Sequence, residues 1–250
     1  MSSFGEPSPV DVGGQLAAFG PYFAAESHEP DAGPPHAPWR AMGELVDGAD
    51  GVLAGRVEAV RGYLGAVGGG SAESVELRVA ASVMHLGLVA RVLSPLFGLA
   101  VLGRELPASE PVGLRDLRWQ PMLGSNFALS IPGLDDARPT RVAGEDPGES
   151  IALLAGELCE IMRPFGVSTR VLWGNVASAL TGARIALGAA EPRLTLRAQV
   201  ELARVLEWGQ LVGTSRTTPD GRFQRRSCCL IYRAAPDRRG PLCGDCVLVR

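Results

Sequence analysis

The sequence contains no lysine, so all 24 of its basic residues are arginines. Alanine and glycine are abundant, which is typical of a GC-rich genome, and the choice of arginine over lysine therefore carries no functional information by itself. The net charge of −3 is unevenly distributed. Residues 216–250 hold eight arginines against three aspartates, a local charge of +5, and the rest of the chain is acidic. Such a basic segment suits nucleic acid, an anionic metal cluster or an anionic ligand.

Targeting signals and membrane spans are also missing. The N-terminal residues show no basic run followed by an apolar stretch, so we expect neither a signal peptide nor a transit peptide. The most apolar stretch, Val79 to Gly103, is interrupted by His85, Arg91 and Pro95, whereas a spanning helix needs about twenty mostly apolar residues. We therefore expect a cytoplasmic protein whose thiols stay reduced.

Glycine-rich nucleotide-binding loops are absent as well. No Gly-x-Gly-x-x-Gly fingerprint follows a strand-like segment, so NAD(P)H is not expected to bind directly. The lack of a phosphate-binding glycine loop argues against an ATP-dependent enzyme. A redox function would therefore draw its electrons from a separate protein.

Apolar residues make up 46% of the 250-residue chain, enough for a substantial core. Their spacing predicts an α+β fold with a mostly helical body. Helices are expected over residues 42–64, 75–93 with a shorter continuation to 102, 150–163, 168–187 and 193–211. The alternating segments 117–120 and 127–131 predict a small antiparallel sheet with a turn near Gly124.

The same pattern divides the chain into three parts. Residues 1–40 are rich in proline and glycine and are expected to form an irregular N-terminal arm. Residues 41–212 form the mainly helical domain, and residues 213–250 a short C-terminal metal-binding module. The module has few large apolar groups, and a unit this small needs a staple such as a metal centre.

Four of the five cysteines lie in that module, within nineteen residues. They form a vicinal pair, Cys228 and Cys229, and a Cys-x2-Cys pair, Cys243 and Cys246. Without a secretion signal, such clustering favours a metal or iron–sulfur site over disulfides.

The spacing of the two pairs leaves the kind of metal open. Structural zinc sites favour two short-spaced pairs, usually with two residues between the cysteines, and here one pair is directly adjacent. Adjacent residues of an extended strand point to opposite faces, so both thiolates reach one small centre only if the backbone bends. A [2Fe–2S] cluster spreads its ligands over two irons and relaxes that demand. Iron–sulfur is favoured, structural zinc stays an alternative, and a disulfide pair is less favoured.

The amino-acid sequence around the cysteines resembles that of a known protein family. Residues 225–233 and 243–248 resemble the C-terminal signature of the FhuF-type ferric-siderophore reductases. Residues 170–180 look like that family's helical segment, and residues 85–95 resemble its central region. The thirteen residues between Cys229 and Cys243 are more than is usual in the family, which puts the loop shape in doubt but not the ligation.

This resemblance implies a cofactor, a reaction and partners. It implies a [2Fe–2S] cluster bound by Cys228, Cys229, Cys243 and Cys246, which makes these cysteines catalytic through the cluster. The reaction would be one-electron reduction of a ferric siderophore, with release of Fe(II) in the cytoplasm. A separate ferredoxin or flavin reductase would donate the electron, and the protein could associate peripherally with a siderophore importer at the inner face of the membrane. No nucleic-acid partner is expected.

Further side chains are candidates for tuning the cluster or contacting the substrate. Arg225, Arg226 and Arg233 would offset the negative charge of a cluster and raise its potential, or would only solvate a loop. Asn175 would bond a buried carbonyl or line a siderophore pocket. His85 is expected to be a buried, satisfied histidine rather than a ligand.

Two other functions are compatible with the sequence. A zinc-stapled, non-catalytic adaptor would use its basic tail to bind another protein or nucleic acid. A siderophore-binding or siderophore-synthesis protein is a third candidate, since synthetases have related C-terminal regions.

Overall fold

Helices dominate the computed structural model, which describes residues 11–48, 51–122, 124, 126–140 and 147–249. The helices in this part of the chain are α1 (Val12–Ala17), α2 (Glu44–Asp47), α3 (Val52–Val67), α4 (Leu77–Leu102), α5 (Pro147–Glu160), α6 (Thr169–Ala190) and α7 (Thr195–Leu206). The predicted α+β class with a mostly helical body is confirmed.

Helix α4 lies at the centre of the fold and packs against α3, α5 and α6. Among the described residues it is the one helix long and apolar enough to cross a membrane, and 78% of its most apolar window is buried inside the protein. Burial of one large aliphatic side chain contributes about 1.5–3 kcal/mol, so this helix contributes strongly to the core. Its apolar surface is therefore used in packing against neighbouring elements.

The sequence predicts a break in this helix near Pro95. That prediction is wrong, because α4 runs unbroken from Leu77 to Leu102. Proline removes one backbone donor and disfavours a helix interior. Here the Ser94 hydroxyl donates to the carbonyl of Ala90, 2.5 Å away, and the surrounding residues are buried. Tertiary packing of the buried helix thus overrides the local preference of proline.

The helix expected over residues 42–64 is divided into α2 and α3. Gly48 has a φ of 67° and ends α2 in the left-handed conformation, which glycine adopts without a steric penalty. Gly51, with a φ of 64°, precedes α3 in the same conformation. Helix α6, in contrast, is confirmed with Ser168 as its N-cap, which accepts a hydrogen bond from the backbone N–H of Val171.

The strands are short and belong to three small sheets. They are β1 (Glu26–His28), β2 (Arg40–Ala41), β3 (Arg104–Glu105), β4 (Arg118–Trp119), β5 (Leu129–Pro132), β6 (Arg138–Pro139), β7 (Ser215–Thr217) and β8 (Phe223–Arg225). The largest sheet has the order β1-β5-β4-β2. Its β4 and β5 pair antiparallel, with Trp119 opposite Leu129, as the alternation predicted. Strand β1 adds a parallel pairing to β5 that the sequence did not indicate.

The described part of the N-terminal arm is more regular than expected, since it contains α1 and β1. Leu16 and Phe23 are fully buried in the core. Arg91 of α4 holds the arm in place, because its guanidinium donates to the carbonyls of Tyr22 and Ala24 and also of Phe127. The buried cation that interrupts the apolar run is therefore satisfied by three carbonyls.

The segment after residue 212 packs on the helical body. Strands β7 and β8 form a hairpin, and a short 3₁₀ helix follows at Ile231–Ala234. Val75, Val79 and Ala234 make a small apolar cluster that joins this segment to α4 and to the turn before it. The cysteine-bearing segment thus shares buried surface with the helices.

Two glycines of α3 provide a matched test of how closely the turn before α4 approaches α3. A Cβ built on Gly65 lies 2.4 Å from the backbone oxygen of Ser71, whereas nothing lies within 4 Å of one built on Gly62. We predict that Gly65→Ala lowers the free energy of unfolding by about 1–3 kcal/mol through overpacking. Gly62→Ala should raise it by about 0.5–1 kcal/mol, because alanine favours the helix. Urea unfolding followed by circular dichroism measures both, and equal effects would contradict the close approach.

Candidate metal centre

The end of strand β8 connects the two cysteine pairs. The backbone N–H of Arg225 donates to the carbonyl of Asp245 over 3.0 Å, and the N–H of Arg226 donates to the carbonyl of Thr214 over 2.8 Å. Asp245 belongs to the Cys-x2-Cys turn, whereas Thr214 precedes β7. The hairpin therefore holds the vicinal pair beside the turn that carries the other two cysteines.

Backbone N–H groups are directed at three of the four sulfur atoms, since the N–H of Ile231 also bonds Cys229. The N–H of Leu230 donates to Sγ of Cys228 over 3.3 Å, and the N–H of Leu248 donates to Sγ of Cys246 over 3.4 Å. Leu230 has a φ of 70°, so the backbone bends directly after the vicinal pair. The turn of the second pair is closed by a bond from the N–H of Cys246 to the carbonyl of Cys243. Such donors stabilise thiolates and their metal complexes.

The two pairs meet through one sulfur contact. Sγ of Cys229 lies 3.5 Å from Sγ of Cys243, and all five cysteines, each within the described residues, are free thiols. Across residues 11–48, 51–122, 124, 126–140 and 147–249, no three Cys, His, Asp or Glu side chains converge into a complete ligand set. The thiols are thus neighbours, and full coordination would require their side chains to turn toward a common centre.

The thiols influence one another's ionisation. The hydrogen bond with Cys243 lowers the pKa of Cys229 to about 6, and the same bond raises the pKa of Cys243. Burial raises the pKa of Cys228, and the negative charges of Cys229 and Cys246 raise it further. The N–H of Leu230 and the positive charge of Arg225 lower it in part. The ionisation of Cys228 is therefore influenced by one thiol of each pair.

Arg225 is completely buried beside these thiols. Its Nη1 donates to Oδ1 of Asn175 over 2.7 Å. Its Nε lies 3.8 Å from Oδ2 of Asp245, too far for a hydrogen bond, and among the described residues neither Nε nor Nη2 has a hydrogen-bond partner. A buried guanidinium with unpartnered donors lowers the stability of the fold. An anionic group bound at this site would accept those hydrogen bonds.

A buried polar network connects α4 and α6 to the cysteine segment. Asn175 of α6 donates through Nδ2 to the carbonyl of Ser82 over 3.0 Å and lies 3.3 Å from Nδ1 of His85. The Ser82 hydroxyl donates to the carbonyl of Cys229 over 2.8 Å. Ser82 and Asn175 thus hold Cys229 and Arg225 against the helices.

His85 and Cys159 lie on the far side of this network, away from the four cysteines of the module. Nε2 of His85 is 3.8 Å from Sγ of Cys159, and both side chains are buried. Burial lowers the pKa of His85 to about 3, which makes it a neutral side chain, and raises the pKa of Cys159 to about 12. Both belong to the core.

The other two candidate arginines do not face the thiols. Arg226 is exposed, and its Nε donates to the carbonyl of Ser215. Arg233 donates to Oε1 of Glu76, 2.6 Å away, at the start of α4. The sequence treated the three arginines alike, and the structure brings only Arg225 of the three into the cysteine site.

Two site residues were missed by the sequence reasoning. Ser82 stands within the apolar stripe of α4, where a lone hydroxyl is the only signal of a polar contact. Asp245 lies between Cys243 and Cys246, and its carboxylate accepts a hydrogen bond from Ser178 of α6. Both residues fix the cysteine segment to the helices.

Neighbouring thiols with N–H donors and a buried cation make this segment a candidate thiolate metal site. No protein-family model, no curated protein and no solved structure matches the chain.

The Asn175–Arg225 bond can be tested in the metal-free protein. Asn175→Leu removes the shortest acceptor of the buried guanidinium and leaves Nη1 only the Gly174 carbonyl, 3.5 Å away, so we predict a loss of about 1–3 kcal/mol in the free energy of unfolding. Arg225→Met in the same chain removes the stranded charge and should restore much of that loss. Denaturant unfolding of the two single variants and the double variant measures the coupling, and additive losses would contradict it.

Proposed function

We propose that the protein is a [2Fe–2S] oxidoreductase that reduces ferric siderophore complexes by one electron and releases Fe(II). The observation that carries this proposal is the buried Arg225, which has two unpartnered donors beside four clustered thiols. The resemblance of residues 225–233 and 243–248 to the FhuF-type reductases supplies the substrate class.

The donor set suits a cluster in its chemistry and its charge. Thiolates are the usual ligands of [2Fe–2S] clusters, and a cluster with four thiolates is anionic. The N–H groups of Leu230 and Leu248 and the guanidinium of Arg225 can stabilise that negative charge. The direct Cys228-Cys229 adjacency favours two metal ions over one, because the ligands are then shared between them.

The bound cluster would supply a one-electron carrier, and the chain would position it near the surface. Cys228 and Cys243 are partly exposed, whereas Cys229 and Cys246 are buried. A surface groove of about 250 Å³ reaches Cys246 and Gly244 and is lined also by Arg216 and Phe223. An oxygen-ligated ferric complex could approach the sulfur ligands there.

The electron would come from a separate ferredoxin or flavin reductase. Arg226, Arg238 and Arg239 are exposed near the cysteine pairs, and Leu242 and Leu248 are exposed apolar residues beside the cysteines. Exposed basic charge on a segment that also exposes apolar residues fits an acidic electron-transfer protein, whose approach would be faster at low ionic strength.

The activity is tested with reduced protein and a defined substrate. Protein that has been purified anaerobically and reduced with dithionite, then freed of reductant, is mixed with a ferric trihydroxamate complex and a ferrous chelator. We expect about one Fe(II) per reduced cluster and return of the oxidised visible spectrum, since each cluster carries one electron. A cluster that stays reduced, with no Fe(II) formed, would contradict the proposed substrate class.

The cysteine ligands are tested by substitution. We predict that Cys243→Ser and Cys246→Ser give poorly coloured, less stable protein, because each removes one thiolate from the ligand set. Cys159→Ala is the matched control, since this cysteine is buried away from the site and should keep the cluster. Iron and acid-labile sulfide per chain measure the effect, and full iron and sulfide content in either serine variant would remove that cysteine from the ligand set.

A zinc-stapled adaptor is the second candidate. The Cys243–Cys246 turn, with its N–H donor to the Cys246 sulfur, suits a structural zinc site as well as a cluster. A colourless protein with one zinc per chain, unchanged by anaerobic reconstitution with iron and sulfide, would support this candidate over the reductase.

A further inference from the structure

The arginines around the vicinal pair differ sharply in their surroundings. Arg225 has no solvent exposure, whereas Arg226 is exposed and Arg233 pairs with Glu76. A buried charge acts in a low dielectric and is screened little by salt, whereas an exposed charge is largely screened. The effect of the three side chains on a redox centre should therefore be unequal.

The hydrogen bonds of Arg225 leave one side of its guanidinium free. Nη1 is bonded to Asn175 and reaches the Gly174 carbonyl at 3.5 Å, while Nε and Nη2 have no acceptor within the part of the chain that the structure describes. The nearest carboxylate, on Asp245, is 3.8 Å from Nε and accepts a bond from the hydroxyl of Ser178. The guanidinium is planar and rigid, so the bond to Asn175 also fixes the direction of the two free donors.

We infer that Arg225 donates hydrogen bonds through Nε and Nη2 to sulfur atoms of the cluster and thereby raises its reduction potential. This inference rests on the proposed function, because it requires a [2Fe–2S] cluster on the four cysteines. Reduction adds one negative charge to the cluster, and a fixed cation with donors to sulfur stabilises the reduced state more than the oxidised one. Asn175 serves as the positioning residue for this contact.

Redox titration of purified variants, followed by visible absorption, tests the inference. Arg225→Gln should retain iron and sulfide but lower the midpoint potential by about 59 mV or more, a tenfold change in the reduced-to-oxidised ratio. Arg225→Lys keeps the charge without the planar donor pair and should give an intermediate potential. Arg226→Gln and Arg233→Gln are the matched controls, and their smaller shifts should disappear at high salt.

The outcomes separate this inference from the proposed function. A wild-type protein without iron and sulfide after reconstitution would overturn both. If wild type and Arg225→Gln both bind a cluster and have the same midpoint potential, the inference alone is overturned. Equal shifts of the midpoint potential in all three glutamine variants would overturn it as well. If Arg225→Gln does not fold, pulsed EPR of wild-type protein labelled with ¹⁵N-arginine decides the question. Coupling of a guanidinium nitrogen to the reduced cluster, retained in Arg226→Gln, supports the contact, and its absence in wild type contradicts it.

Discussion

The burial of the Arg225 guanidinium beside four thiols is the constraint on which the cysteine site depends. A cation without solvent must find negative charge or acceptors nearby, and the described residues provide Asn175 at 2.7 Å, the Gly174 carbonyl at 3.5 Å and the Asp245 carboxylate at 3.8 Å. Thiolates that bind a metal cluster would provide the remaining negative charge. On that proposal, cluster binding would stabilise both the buried cation and the fold of the C-terminal segment.

The helical body supports this site through polar groups within its core. Helix α4 is buried along most of its length, yet it carries Ser82 at the point where Cys229 approaches. Helix α6 contributes Asn175 and Ser178, which bond Arg225 and Asp245 respectively. Each contact satisfies a buried group that would otherwise be costly. The network thus fixes the position of both cysteine pairs relative to two long helices.

Much of the fold follows from local patterns in the sequence. Helical periodicity located α4, α5 and α6, and alternation located the β4–β5 pairing. Where the structure differs from the prediction, the cause is the tertiary environment of individual residues or strands. Pro95 lies inside a helix whose packing compensates for its missing donor, and β1 pairs with a strand about a hundred residues away in the chain.

The site was only partly predictable for the same reason. The cysteine spacing alone predicts a thiolate site, but no local signal separates Arg225 from its neighbour Arg226. Adjacent residues of an extended segment project to opposite sides, and which side is buried depends on the packing of α6. The contact of Ser82 with Cys229 joins residues that are 147 positions apart, so periodicity could not reveal it.

Mössbauer spectroscopy combined with metal and sulfide analysis of anaerobically purified protein tests the central claim most directly. A [2Fe–2S] centre on the four cysteines predicts two irons and two acid-labile sulfides per chain. Its spectrum should show high-spin ferric iron with tetrahedral sulfur ligation that is diamagnetic when oxidised. One zinc per chain with no sulfide, before and after reconstitution, would contradict the account.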